Sequence, residues 1–127
     1  MKKIAGILFA TLLFGCSNQD AVPPSPPQLW HGITISIETR PAPPQSGMTE
    51  FLVLATEGKH HQPAYDLLMN LRTADSDAWT QAIQDGQTGV YRRAVLLAPG
   101  ERSTLQIQVK RGEMIDVLGF PLTLTDK

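Results

Sequence analysis

Every second residue is apolar along several short segments of this 127-residue chain. The clearest are residues 33–38 and 105–110, where Ile, Leu or Val alternates with a polar residue. A period of two is that of a half-buried β-strand, whereas a surface helix repeats every 3.6 residues. Turn-forming segments rich in Gly and Pro separate these runs. The sequence therefore predicts an all-β chain of short strands.

Five further segments are predicted as strands, three of them with alternatives. Residues 50–55 form a continuous apolar run, typical of a central strand, and residues 90–97 form another strand. Residues 67–71 alternate, but a helix is the alternative because Leu and Met are good helix formers. Residues 78–84 are either a strand or a helical turn. Residues 114–124 form one bent strand or two short ones, with Gly119 and Pro121 at the break.

Strands of this length, separated by turns, predict an antiparallel immunoglobulin-like β-sandwich of about seven strands. One core has to hold the inward-facing residues of both sheets. We expect these to include Ile35, Val53, Met69, Val95, Ile107 and Leu122.

The N-terminus has the form of a signal peptide. Lys2 and Lys3 precede an apolar run that ends at Leu13-Phe14-Gly15-Cys16 and falls well short of the about 20 residues needed to span a bilayer. These last four residues resemble the bacterial lipobox, whose cysteine receives diacylglycerol before the signal is cleaved. The resemblance implies that residues 1–15 are removed and that Cys16 carries a lipid anchor. The alternative is an ordinary secretory signal with an incidental cysteine.

The rest of the chain divides into a tether and one domain. Residues 16–28 contain four prolines and are expected to form an extended, lipidated tether that holds the domain off the membrane. Residues 29–127 are expected to form the β-sandwich. Ser17 follows the cysteine, where Asp would resemble an inner-membrane retention signal. We therefore expect a protein anchored in the outer membrane of a bacterial envelope, with its domain in the periplasm.

Residues from about Thr49 onward contain four short motifs in a recurring order. They are Phe51-Leu52-Val53-Leu54, Gly58-Lys59 leading to Pro63, Gly89-Val90-Tyr91, and Ala98-Pro99-Gly100 followed by residues 105–109. This order resembles the YtkA-like and FixH-like periplasmic domains. The resemblance implies an immunoglobulin-like sandwich without catalytic residues, associated with copper handling or respiratory oxidase assembly.

His60 and His61 are the candidate metal ligands, with His31, Met48, Met69 and Met114 as further ligands of the kind that copper accepts. Adjacent residues of an extended chain point to opposite faces, so a solvated turn is the favoured interpretation of the histidine pair. Met69 alternates in phase with two leucines, which favours a place in the core.

The large aromatic residues Trp79, Tyr91 and Phe120 are expected to pack between the sheets rather than form a binding surface. Tyr91 is alternatively a corner residue whose hydroxyl bonds back to a loop. The chain has no nucleophile elbow, zinc helix or phosphate-binding loop. Its net charge is −1, and it has no cluster of basic residues of the kind that binds nucleic acid. We expect a non-enzymatic, membrane-anchored interaction module with an envelope protein as partner and no small-molecule substrate or cofactor. The alternative is a copper-binding accessory protein.

Overall fold

The computed structural model describes residues 23–125, and this part of the chain is all-β. No helix long and apolar enough to cross a membrane occurs between residues 23 and 125. The strands are β1 (Gln28–Trp30), β2 (Ile33–Arg40), β3 (Gly47–Glu57), β4 (Gln62–Pro63), β5 (Leu68–Arg72), β6 (Thr80–Gln81), β7 (Ile83–Gln84), β8 (Val90–Leu97), β9 (Arg102–Arg111) and β10 (Met114–Thr123).

The strands form two antiparallel sheets around one core. The first sheet has the order β1-β2-β3-β8-β7, and β4 pairs with the end of β3. The second sheet has the order β10-β9-β5-β6. Buried apolar side chains from both sheets make up a single cluster. The predicted antiparallel β-sandwich is therefore confirmed, and residues 67–71 contribute a strand to it rather than a helix.

The alternation along the strands places the core as expected. In β2 the three isoleucines are buried and Glu38 is exposed. Five of the six residues expected to point inward are buried, and Val95 is half-buried against the core. Strand β3 is central, as expected, since it lies between β2 and β8. Phe51 and Val53 are buried in the core, but the expected cover on both faces is partial, because on the outer face Leu52 is buried and Leu54 is half-buried.

Residues 80–84 carry the chain from one sheet to the other. Thr80 and Gln81 pair with β5 of the second sheet, whereas Ile83 and Gln84 pair with β8 of the first. Ala82 between them is buried, and its N–H donates to Met69 O at 2.9 Å. The ambiguity predicted for this segment has a physical reason, because strands of two residues are too short to show a period.

Strand β10 runs unbroken through Gly119 and Pro121. The β9–β10 hairpin closes with Arg111 opposite Met114, and the φ of 60° at Gly112 is typical of a type II′ turn. The closing pair of such a hairpin is hydrogen-bonded, and hydrogen-bonded pairs alternate along the ladder. By this alternation the odd-numbered residues of β10 direct their backbone groups away from β9. The missing N–H of Pro121 therefore falls on the unpaired edge, where it removes no ladder bond.

The proline-rich segment before β1 lies beside β2. Ser25 is buried, and Pro23 and Pro24 line a surface cavity with Thr39 and Ala42. Proline has no N–H to complete a ladder, which explains why this segment is not a strand. The described chain therefore enters the sandwich near the end of β2, at the end of the molecule that carries the β2–β3 loop.

Candidate functional site

The predicted lipidation site, Cys16, lies outside the described residues. The predicted metal ligands His60 and His61 lie in the turn between β3 and β4, and both are exposed. The turn is closed by a hydrogen bond of 3.2 Å from the His61 N–H to Gly58 O, and His61 has a φ of 52°. Between residues 23 and 125, no three His, Cys, Asp or Glu side chains are grouped as a metal site would require.

The remaining proposed ligands are not gathered around this turn. His31 packs edge-on against Trp30, with ring centroids 4.9 Å apart, and its Nε2 lies 3.6 Å from an Asp116 carboxylate oxygen. Met69 is fully buried, so its expected place in the core is confirmed. Met48 is exposed at the opposite end of the first sheet, whereas Met114 lies in the hairpin at the same end as His60.

The three aromatic residues have different environments. Phe120 and Tyr91 are buried in the core, as expected. The Tyr91 hydroxyl donates to Ala64 O at 2.9 Å and accepts from the Leu67 N–H at 3.2 Å, so the corner interpretation is also confirmed. The prediction for Trp79 was wrong. It is half-buried, and the Arg72 guanidinium lies 4.1 Å from its ring centroid in a cation–π contact.

An arginine ties the two sheets together at the end that carries His60. Arg111 of β9 makes two hydrogen bonds of 3.0 Å to the Glu57 carboxylate of β3 and two more, of 2.7 and 3.1 Å, to Asp66. These contacts raise the pKa of the Arg111 guanidinium, and the hydrogen bond from Arg111 lowers the pKa of the Asp66 carboxyl. The network fixes the base of the β9–β10 hairpin against the first sheet.

Beyond this base, β10 exposes apolar side chains. Met114 is 38% exposed, Ile115 51% and Val117 54%. Ile115 and Val117 lie opposite the polar residues Lys110 and Gln108 in the register, which puts them on the outer face of the second sheet. The sequence predicted a strand here, but alternation alone does not say which face of that strand is covered.

The side chains of β1 cover the more distant part of the same edge. Gln28 Nε2 donates to Gly119 O at 2.6 Å, and Trp30 Nε1 donates to an Asp116 oxygen at 2.7 Å. The first bond confirms that the backbone of Gly119 faces away from β9. Residues 114–117, which we call the β10 edge, lie on the hairpin side of the Gln28–Gly119 bond, and within them Trp30 contacts the Asp116 side chain. By the same alternation, the N–H and C=O groups of Ile115 and Val117 point outward there.

No family model matches the chain, and no curated protein and no solved structure is significantly similar to it.

Proposed function

We propose that this chain is a lipid-anchored, non-enzymatic module of the bacterial envelope, and that its β10 edge binds an extended segment of a partner protein. The anchor is supported by the order of charged region, apolar run and lipobox around Cys16. The binding role is carried by one observation, the apolar exposure of β10 where its backbone groups point outward.

Such an edge is suited to binding another strand. Exposed edge strands pair readily with other chains, and proteins commonly protect them with Pro, with charged residues or by covering them. In β10 the part near Pro121 has these protections, since Gln28 also bonds to Gly119. The β10 edge instead offers Ile115 and Val117 beside their free backbone groups. Strand addition uses backbone hydrogen bonds for affinity and alternate side chains for specificity.

The chemistry of the edge defines the partner segment. It is extended, and its alternate residues are apolar where they lie beside Ile115 and Val117. A Lys or Arg near its end complements Glu113, which is exposed in the hairpin turn. A second copy of this chain is a different occupant, and it would appear as a dimer in solution.

The anchor is tested by replacing the lipidated residue. Cys16→Ser is expected to leave the protein without diacylglycerol and with residues 1–15 uncleaved, because no thiol remains to be acylated; the intact masses of parent and variant measure both changes. A parent protein whose intact mass includes no diacylglycerol on Cys16 would refute the anchor.

The binding edge is tested by photo-crosslinking in intact cells. A photoreactive residue at position 115 is expected to give a discrete adduct, and one at Leu29, which is 74% exposed on the edge of the other sheet, is not. Val117→Pro removes one outward N–H without breaking the ladder with β9, and it is expected to abolish the adduct. Equal adducts at positions 115 and 29, or an adduct that survives Val117→Pro, would contradict the proposed edge. An adduct with the mass of two copies would indicate self-association instead.

The alternative function, copper binding, has one placement in its favour. His31 follows β1 and His60 and His61 follow β3, so that all three histidines lie at the same end of the sandwich as Met114. A copper titration separates this alternative from the interaction module.

A further inference from the structure

Two exposed apolar residues form a cross-strand pair at the end of the sandwich opposite to His60. Met48 of β3 is 65% exposed, Leu96 of β8 is 61% exposed, and the two lie directly opposite each other in the register. Both are on the outer face of the first sheet. The loops next to them add further exposed residues without charge, namely Pro41, Ala42, Pro43, Ala98 and Pro99.

The described chain enters the sandwich at this same end. Pro23 and Pro24 line a cavity with Thr39, and Thr39 lies opposite Phe51 in the register. Met48 is three residues beyond Phe51 along β3, and therefore about 10 Å farther toward this end of the sandwich. The apolar pair thus projects past the point at which the N-terminal segment joins the fold.

The length of chain that precedes Pro23 limits the distance to the lipid. Residues 17–22 separate Cys16 from Pro23. Fully extended, this stretch spans at most about 25 Å, and as a flexible chain it spans about 15 Å. Because Ser25 is already buried against the sandwich, residues after it add no reach. A lipid on Cys16 therefore keeps the Met48–Leu96 end near the bilayer surface.

We propose that the Met48–Leu96 end of the sandwich docks on the lipid bilayer. This inference rests on the proposed lipid anchor at Cys16. Apolar side chains enter the boundary between headgroups and acyl chains, to a depth of about 5–10 Å. Arg40 is exposed beside this end, and its long side chain can keep its charge among the headgroups while its stem contacts apolar groups.

Ion pairs restrict the docking to the end of the sheet. The centre of the same outer face carries Arg92, which lies 3.3 Å from a Glu50 carboxylate oxygen and 3.0 Å from an Asp85 oxygen. Moving these charges into an apolar environment is unfavourable. The molecule therefore stands on its end rather than lying on this face, and the β10 edge points away from the membrane.

Spin labelling of the acylated full-length mature protein in phosphatidylethanolamine–phosphatidylglycerol vesicles tests this orientation. Cys16 is the chain's single cysteine, so once it is acylated a new cysteine is the one site that takes the label. Leu96→Cys reports on the docked end, and His60→Cys is the matched control at the opposite end. We expect the ratio of oxygen to water-soluble nickel accessibility to be about tenfold higher at position 96 than at position 60. Met48→Glu in the Leu96→Cys protein is expected to remove the difference, whereas Ile83→Glu is not.

The possible results separate docking from anchoring. Intact mass shows whether Cys16 is acylated. If acylation is absent, both the anchor and this inference are refuted. Acylated protein whose two labels are equally accessible to nickel refutes the docking alone. A label at position 96 that is shielded from both oxygen and nickel shows that protein, not lipid, covers the pair, and it also overturns the inference.

Discussion

Replacing Tyr91 by Phe tests whether the hydroxyl of this buried ring stabilises the fold. Phe keeps the ring, so little packing is lost, but Ala64 O and the Leu67 N–H lose the hydroxyl that lies 2.9 and 3.2 Å away. Both residues are buried. A buried backbone group without a hydrogen bond costs about 1–3 kcal/mol. We therefore expect the free energy of unfolding to fall by about 2–4 kcal/mol, which is a large part of the about 5–15 kcal/mol typical of a domain.

Urea unfolding of the mature chain, produced without residues 1–15 and with Cys16 replaced by Ser, measures this change. A loss of this size lowers the midpoint by about 2 M urea with an unchanged m value. Tyr65→Phe is the matched control, because Tyr65 is 52% exposed. We expect this control to change the free energy by less than about 0.5 kcal/mol.

The stability of the parent protein and that of Tyr91→Phe are expected to depend differently on pH. Burial raises the pKa of the Tyr91 phenol above its usual value of 10.0. Above that pH the unfolded state loses the phenol proton before the folded state does, so stability falls as the pH rises. Tyr91→Phe removes this contribution. A Tyr91→Phe protein as stable as the Tyr65→Phe control, or one whose stability falls above pH 10 as steeply as that of the parent, would refute the reasoning.

Three further changes have expected outcomes. In Gly89→Ala the new Cβ would lie 2.7 Å from Ala55 O, at a residue with a φ of 75°. We expect thermal unfolding to show that the free energy of unfolding falls by about 3 kcal/mol. In the control Gly86→Ala the Cβ has free space, and the free energy should fall by about 1 kcal/mol. Arg111→Met should lower the free energy of unfolding by about 1–2 kcal/mol, because it removes the ion pairs with Glu57 and Asp66; the loss is modest because these pairs are partly exposed. Arg111 lowers the pKa of the Asp66 carboxyl from 3.8, so the stability that their ion pair adds is present above pH 3.8 and is lost as the pH falls through the lowered pKa. A parent protein and variant with the same acid denaturation curve would contradict this. Titration with Cu(I) and Cu(II) should show affinity weaker than micromolar, because His60 and His61 are exposed in one turn; tighter binding that is lost in the His60→Ala, His61→Ala double variant would favour the copper alternative.

The sequence predicted the strands whose pattern repeats often enough to be recognised. Strands β2 and β9 each contain three apolar residues at alternate positions, so their inward faces could be assigned from periodicity alone. Strands β6 and β7 have two residues each and lie in different sheets, which no local period can encode. Of the two alternatives for residues 114–124, one strand rather than two is observed, because β10 is an edge strand that tolerates Pro121, and strand position is a property of the whole sheet.

The candidate interaction surface was less accessible to sequence reasoning. Ile115 and Val117 are apolar in a predicted strand, and their exposure follows from a register that sets them opposite Lys110 and Gln108. The place of Trp79, which lies just before β6, also depends on a contact that periodicity does not show, since Arg72 of β5 lies over its ring. The two bonds of the Tyr91 hydroxyl could be anticipated as an alternative because the residue is the second of a strand that follows a turn.

The bonds from β1 to β10 also determine how the molecule carries mechanical load. An anchor at the N-terminus and a partner on the β10 edge would pull on the protein from opposite ends. Gln28 and Trp30 join β1 directly to Gly119 and Asp116 of β10, so tension passes between the two edge strands without first separating the core. Strand β10 meets this tension along its own axis, and the ten residue pairs that join it to β9 are loaded together in shear rather than opened one at a time.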